Sequence, residues 1–203
     1  MSAAGVSKHY FAGEPAAAHR PGTVHLLLGD LHLELATDSG VFSSRRLDPG
    51  TRLLVEAAPP PPMAGDLLDL GCGYGPIACA LAHRAPGATV WAVDVNARAL
   101  ELTARNAAHL GLGGVHPVQP DAVPDSVRFA GIWSNPPVRV GKAALHRLLA
   151  DWLSRLQPDG SAWLVVHRHL GADSLATWLG GEGWAVTRVA SKRGYRILRV
   201  VRP

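Results

Sequence analysis

Asp69-Leu70-Gly71-Cys72-Gly73-Tyr74-Gly75 sets three glycines at alternate positions behind an acidic residue, and a backbone bare at that spacing lets a ligand lie directly against the chain. An apolar run precedes the loop and a helix-prone run follows it, so a strand feeds a helix here, the junction at which nucleotide cofactors bind. A dinucleotide loop would want glycine at position 76, but Pro76 stands there and starts the helix instead. A carboxylate at Asp69 repels pyrophosphate and suits an amino-acid ammonium, so S-adenosylmethionine fits this loop better than NAD. The plainer alternative is a tight strand-to-helix turn whose glycines serve packing alone. Asp94 ends the next strand, about twenty residues downstream, where a carboxylate can accept from both ribose hydroxyls of an adenosine. Val95 and Asn96 follow it, and Asn96 reads equally as a second ribose ligand or as a helix cap. Asp121 and Ala122, after the third strand, are candidates for the adenine edge, although Pro120-Asp121 is also an ordinary turn sequence.

Ser134-Asn135-Pro136-Pro137 comes directly after the fourth strand of this alternating region. Two prolines freeze the backbone where a parallel strand opens onto the ligand crevice. The Asn135 amide oxygen and the Pro136 carbonyl are two acceptors able to hold both hydrogens of a planar amino group and aim its nitrogen lone pair at a sulfonium methyl. No strong base is needed before attack, because the proton leaves after the nitrogen becomes cationic. The work is positioning and electrostatic stabilisation. The alternative is a turn whose prolines merely end the strand.

These residues need a frame that holds them at one edge. Runs at 67–70, 89–93, 115–118, 129–134 and 161–166 read as strands, and stretches at 75–84, 97–110, 144–156 and 173–179 read as helices. This alternation gives βαβ units and a parallel sheet. A last pair, 184–190 and 195–201, is joined by Ser191-Lys192-Arg193-Gly194, short enough for a hairpin. Ahead of this core, 24–28 and 31–35 are β-prone runs separated by Gly29-Asp30, and Thr51 is placed to cap a short helix at 52–57. Pro59 to Pro62 form a stiff spacer. The expected division is an N-terminal β-hairpin lid and linker over 1–62 and a catalytic core over 63–203.

With 203 residues, 47% hydrophobic and 18% charged, the chain is too apolar for disorder and long enough to bury a core. No apolar run approaches the ~18–20 residues needed to span a bilayer, and residues 1–15 lack the pattern of a secretory leader, so the expected location is the cytoplasm. Cys72 and Cys79, the two cysteines, suit neither a zinc site nor a disulfide framework and are expected to be reduced packing residues. His167 and His169 lack a third ligand, so no metal is expected. Twenty Lys and Arg against sixteen Asp and Glu give +4. The cations fall in three groups: Arg45, Arg46 and Arg52; Arg139, Lys142 and Arg147; Lys192, Arg193, Arg196, Arg199 and Arg202. On one face they would attract phosphates.

Taken together, these motifs resemble the class I S-adenosylmethionine-dependent methyltransferases, and within them the methyltransferase small domain family, which includes the 16S rRNA guanine-N2 methyltransferases. The resemblance rests on His9-Tyr10-Phe11, Thr37-Asp38-Ser39-Gly40-Val41-Phe42-Ser43, Asp48 with Gly50-Thr51, the glycine loop, Asp94-Val95-Asn96 with Arg98-Ala99, Asn106, and Asn135-Pro136-Pro137 with Gly141-Lys142. It implies a Rossmann-like α/β fold with a seven-stranded, mostly parallel sheet whose last strand is antiparallel. It also implies S-adenosylmethionine as cofactor, and N-methylation of an exocyclic amino group, guanine N2 of small-subunit rRNA, with the ribosomal RNA or the small subunit as partner. Asn135, Pro136 and Pro137 become the catalytic candidates. Asp69, Gly71, Cys72, Gly73, Tyr74, Gly75, Asp94, Val95, Asn96, Asp121, Ala122 and Asn135 become the cofactor candidates. Phe42, Arg45, Val138, Arg139, Lys142 and Arg193 become those for substrate.

Bacterial members usually carry an aromatic after the second proline, which can stack on a flipped base; Val138-Arg139 stands there instead, as in a shorter archaeal-type branch, leaving Phe42 or Tyr74 to stack. The long bacterial enzymes also carry a non-catalytic N-terminal domain without a counterpart in these residues. Two alternatives stay open: amide methylation of a protein glutamine on the same scaffold, and an inactive module that binds S-adenosylmethionine and RNA. A monomer is the favoured state.

Overall fold

The computed structural model describes residues 18–203, so His9-Tyr10-Phe11 lies outside the described residues. An antiparallel hairpin of β1 (Gly22–Leu27) and β2 (His32–Thr37) opens the chain, followed by α1 (Pro49–Ala57). The core then runs β3 (Ala64–Leu70), α2 (Pro76–Arg84), β4 (Gly87–Val93), α3 (Ala97–His109), β5 (Val115–Val118), β6 (Phe129–Ser134), α4 (Lys142–Leu153), β7 (Leu156–His167), α5 (Ala172–Gly181), β8 (Ala185–Lys192) and β9 (Tyr195–Val201). The seven core strands form one sheet in the order β5-β4-β3-β6-β7-β9-β8. β9 runs against both neighbours, and the other paired strands of the sheet are parallel. The strand order reverses between β3 and β6, a switch point that opens a crevice at the strands' carboxyl ends.

Residue pattern accounts for these elements. The last four residues of β3 are buried without alternation, as a central strand covered on both faces requires. α3 buries Ala99, Leu102, Thr103, Asn106 and Ala107, one face at helical spacing. α2 buries Pro76 through Ala82, because the sheet, α1, α3 and the hairpin surround it. Val24, Leu26 and Leu54 share one hydrophobic cluster with Leu67, Ile77 and Val90, so hairpin, α1 and sheet pack as continuous core.

The helix after the hairpin begins earlier than its sequence suggests. Asp48, not Thr51, is the N-cap: its carboxylate accepts the Thr51 N–H at 2.9 Å, and Pro49 occupies the first turn where its missing N–H costs nothing. β7 likewise extends back to Leu156, because Phe129 N–H donates to Arg155 O at 2.9 Å and starts the β6–β7 pairing at that end.

Candidate active site

A cleft of about 480 Å³ opens at the carboxyl ends of β3, β4, β6 and β7. The glycine loop forms its floor. Gly71, Gly73 and Gly75 all have positive φ, at 77°, 57° and 87°, a region that favours glycine. A Cβ on Gly73 would meet nothing among the described residues within 4 Å, so the loop offers bare backbone to a ligand. Backbone bonds tie the loop to its neighbours: Gly71 and Cys72 N–H donate to Val93 O at 2.8 and 3.0 Å, and Thr103 Oγ1 donates to Gly73 O at 2.9 Å. Asp94 sits beside it, accepting Gly73 N–H at 2.9 Å and Asn96 N–H at 3.0 Å while still lining the cleft. Asn96 comes two residues after Asp94 in the chain. It caps α3 by accepting from Arg98 N–H at 3.1 Å, and it lines the cleft.

The opposite wall comes from the N-terminal segment. Asp38 is nearly buried; although burial alone would raise its pKa, hydrogen bonds from His19, Arg20 N–H and Ser39 N–H hold it down at about 2. The turn it organises is docked on the start of α3, with Asn96 Nδ2 donating to Gly40 O at 2.9 Å and Arg98 donating to Ser39 O at 2.8 Å. Val41, Phe42 and Ser43 are thereby held in the cleft wall. Asn106, 1% exposed, joins the hairpin to the loop: its amide exchanges bonds with Ala36 at 2.8 and 2.9 Å and donates to Tyr74 O at 2.8 Å.

Asn135, Pro136 and Pro137 line the cleft beside Gly71. Ser134 Oγ donates to Leu70 O at 2.7 Å, fixing the end of β6 against β3. Pro137 has φ −74° and ψ 70° and Val138 N–H donates to Pro136 O at 2.8 Å, which is an inverse γ-turn centred on Pro137. That bond uses one lone pair of the Pro136 carbonyl and leaves the second. Asn135 Nδ2 donates to Asp48 Oδ1 at 2.8 Å and to Thr51 Oγ1 at 3.0 Å, so both amide hydrogens are taken. The Asn135 carbonyl oxygen has no partner among the described residues and belongs to a side chain in the cleft wall.

Eleven of the sequence-designated residues share this cleft: Phe42, Gly71, Cys72, Gly73, Tyr74, Asp94, Val95, Asn96, Asn135, Pro136 and Pro137, with Val138 as a twelfth. Asp69 lies behind the floor, fully buried, with Oδ2 accepting Ala78 N–H at 2.9 Å and Oδ1 without a partner among the described residues. Burial drives its pKa up to about 8, against the lowering effect of the Ala78 bond. Gly75 forms the start of α2 under Thr103 and not the cleft surface. Asp121 and Ala122 are exposed beyond Pro120, which does line the cleft. Tyr74 is 2% exposed and its hydroxyl has no partner among the described residues; burial, then the Asp48 carboxylate, push its phenol up. Phe42, 65% exposed at the mouth, is the freer ring. Burial also raises both thiols, Cys79 to about 12, so they pack as neutral groups.

Arg45, Lys142 and Arg193 are exposed and outside the cleft lining; the side chain of Arg139 is not among the described ones. Residues the sequence did not designate also line the cleft, notably Asp48, Thr51, His167 and Tyr195. Asp48 entered the sequence reading only through the family resemblance, and its proximity to Asn135, 87 positions away, was not legible there. Tyr195 O–H donates to Asp48 Oδ2 at 3.4 Å, and its ring packs edge-on against His167 at 4.9 Å.

Residues 32–199 match the methyltransferase small domain family. The chain belongs to that family. The uncharacterized protein YbxB of Bacillus subtilis (strain 168) is 35% identical over 197 residues, covering 96% of this chain and 98% of its own length. The ribosomal RNA small subunit methyltransferase C of Aeromonas hydrophila subsp. hydrophila is 40% identical over 148 residues, 70% of this chain. This chain spans only 42% of that relative's length. In three dimensions it matches the T. thermophilus 16S rRNA N2 methyltransferase RsmC, solved with AdoMet and guanosine, at TM-score 0.75 and 25% identity, over 93% of this chain and 52% of that one.

Proposed function

We propose that the protein is an S-adenosylmethionine-dependent N-methyltransferase acting on guanine N2 of small-subunit rRNA. The observation that carries the reading is the Asn135 amide: with both hydrogens bound to Asp48 and Thr51, it presents an acceptor at the cleft beside the glycine loop. The open backbone at Gly73 and the Asp94 carboxylate at the end of β4 fit the cofactor, which supplies an electrophilic methyl on a sulfonium. Gly71 and Gly73 admit its amino-acid portion against bare backbone, and Asp94 accepts from ribose hydroxyls. Asp69 stands behind the loop, close enough in sequence and space to set its shape through Ala78.

Asn135 Oδ1 and the remaining lone pair of Pro136 O hold the two N–H bonds of the target amine. Held this way, the nitrogen lone pair stands clear of both acceptors, and positioning supplies the rate. Phe42 at the mouth is placed to stack on an extruded base, which must leave its helix to enter. The Pro136 acceptor also stabilises the positive charge that develops on nitrogen. The family membership and the names of the ribosomal relatives support the RNA target.

Labelled methyl donor incubated with the protein and, separately, small ribosomal subunits, naked 16S rRNA or a release-factor-like protein tests this. Label recovered as N2-methylguanosine after nuclease digestion is the expected result. Label in the protein arm, or none in any arm, overturns it.

A further inference from the structure

A carboxamide has an acceptor edge and a donor edge of nearly the same shape, and packing alone does not choose between its two flips. The reading of Asn135 as the acceptor for a target amine, on which this inference rests, needs one flip only. In the other, its NH2 would meet the substrate NH2 donor to donor.

What chooses is supplied by α1. Asp48 Oδ1 lies 2.8 Å from Asn135 Nδ2, and Thr51 Oγ1 lies 3.0 Å from it. Asp48 is 8% exposed and Thr51 4%, so water competes little for these bonds. A carboxylate oxygen accepts and cannot donate. Flipping Asn135 would set its carbonyl oxygen against that carboxylate, an arrangement without a hydrogen and with like partial charges. Asp48 is itself fixed, because Oδ1 accepts Thr51 N–H at 2.9 Å and Oδ2 accepts Tyr195 O–H at 3.4 Å. Gly50 completes the fit: a Cβ there would lie 2.6 Å from the Tyr195 ring and 2.9 Å from Asp48 Oδ1, so only glycine lets β9 close on the cap.

We infer that Asp48 is the positioning residue that locks Asn135 with its carbonyl toward the cleft, while Thr51 holds the other hydrogen of the same NH2, so that the N-terminal cap of α1 sets the polarity of the amine-binding site. The N-terminal segment thus contributes to transfer as well as to enclosure.

The cap and the lock can be separated. Asp48→Ser keeps an N-cap acceptor for Thr51 N–H but is too short to reach Asn135. Thr51→Val removes the second acceptor at constant shape. In Asp48→Ser/Thr51→Val, kcat for the accepted rRNA substrate should fall about a hundredfold, the scale of a misplaced reacting group. The dissociation constant for S-adenosylhomocysteine should stay within twofold and KM for RNA should change little. Asp48→Asn, which retains one acceptor oxygen, should recover at least tenfold in kcat over Asp48→Ser. Independently of activity, the ¹⁵N-labelled side-chain NH2 of Asn135 should exchange slowly with solvent in the native protein and fast in the double variant. Unchanged exchange, or kcat equal to that of the unaltered protein, overturns the lock. If the unaltered protein transfers no methyl to rRNA, the proposed function fails and the exchange measurement still decides the lock.

Discussion

Asn135 and Asp94 stand in one cleft at the ends of different strands, β6 and β4, and differ in their hydrogen-bond partners. Asp94 is bound to backbone N–H groups of the loop and of the α3 start, whereas the Asn135 carbonyl has no partner among the described residues. Asn135→Ala should therefore lower single-turnover transfer by about 10²–10³, the usual loss of one preorganised polar contact to the reacting group. Calorimetry should find cofactor affinity within twofold. Asp94→Ala should do the reverse, weakening cofactor binding by about 1.5–3 kcal/mol, the range for a hydrogen bond to a charged group. Equal loss of cofactor in both would end this division of roles.

Asp69 provides a test that needs no substrate. Its folded pKa, raised by burial to about 8 from an ordinary 3.8, means that folding takes up a proton between those values. Its contribution to stability is complete below about pH 4 and is lost as pH rises through about 8. Asp69→Asn keeps an acceptor for Ala78 N–H and cannot ionise. Urea unfolding of the two proteins should show the variant gaining on the native chain from pH 5 to pH 9. A difference that stays flat would mean that the carboxyl titrates normally in the fold.

Among the elements, the β8–β9 hairpin carries an evident cost. Arg193 and Gly194 form its two-residue turn with φ of 50° and 83°, the signature of a type I′ turn that favours Asn-Gly. Arginine in the left-handed region costs roughly 1–2 kcal/mol. Arg193→Asn should stabilise the fold by about 0.5–1 kcal/mol, read by thermal melting, and should weaken RNA binding. A variant stabilised without loss of RNA affinity would reduce Arg193 to an accident of the turn.

The elements themselves were largely legible in the sequence, because their signals are local. β5, β6 and β9 fall at the expected residues, and the glycine loop announces its own strand and helix. Thr51 reads locally as the cap of this helix, and only the pairing of the Asp48 carboxylate with Thr51 N–H moves the cap to Asp48. The lining of the candidate site was legible where its residues are contiguous, as in the loop and at Asn135-Pro136-Pro137. Its other half was not: Asp48, Thr51, His167 and Tyr195 reach the cleft through tertiary packing that local pattern cannot express. Asp69 fell on the far side of the floor for the same reason, since this strand residue, two positions before Gly71, turns toward α2 while its neighbour Leu70 lines the cleft.

Across the whole molecule, the cations that the sequence grouped by position serve two purposes. Arg199 lies over the Trp163 ring, Arg202 lies over Trp184 and donates to Ser154 O and Leu156 O, and Arg196 pairs with Asp173. These bind the sheet edge and the end of α4 to the body. Lys142 begins α4 just beyond β6, and Arg193 sits in the turn between β8 and β9; both elements end at the edge where the cleft opens. Arg168 N–H donates to Gly194 O at 2.8 Å and brings a third cation to that edge. Phosphate contact should accordingly be local even though the net charge of +4 belongs to the entire chain. Each neutralised phosphate contributes about −0.7 to −0.9 to the slope of log K against log salt. Lys142→Ala combined with Arg193→Asn should reduce the steepness of that slope for rRNA by about 2, by roughly 1 per contact. Arg199→Ala should leave the slope unchanged and lower the melting temperature, because its guanidinium is spent on Trp163. Filter binding across a salt series separates the two outcomes: equal slopes for all three proteins would place the RNA on another face, and a lower slope for Arg199→Ala would extend the contact to the opposite edge of the sheet.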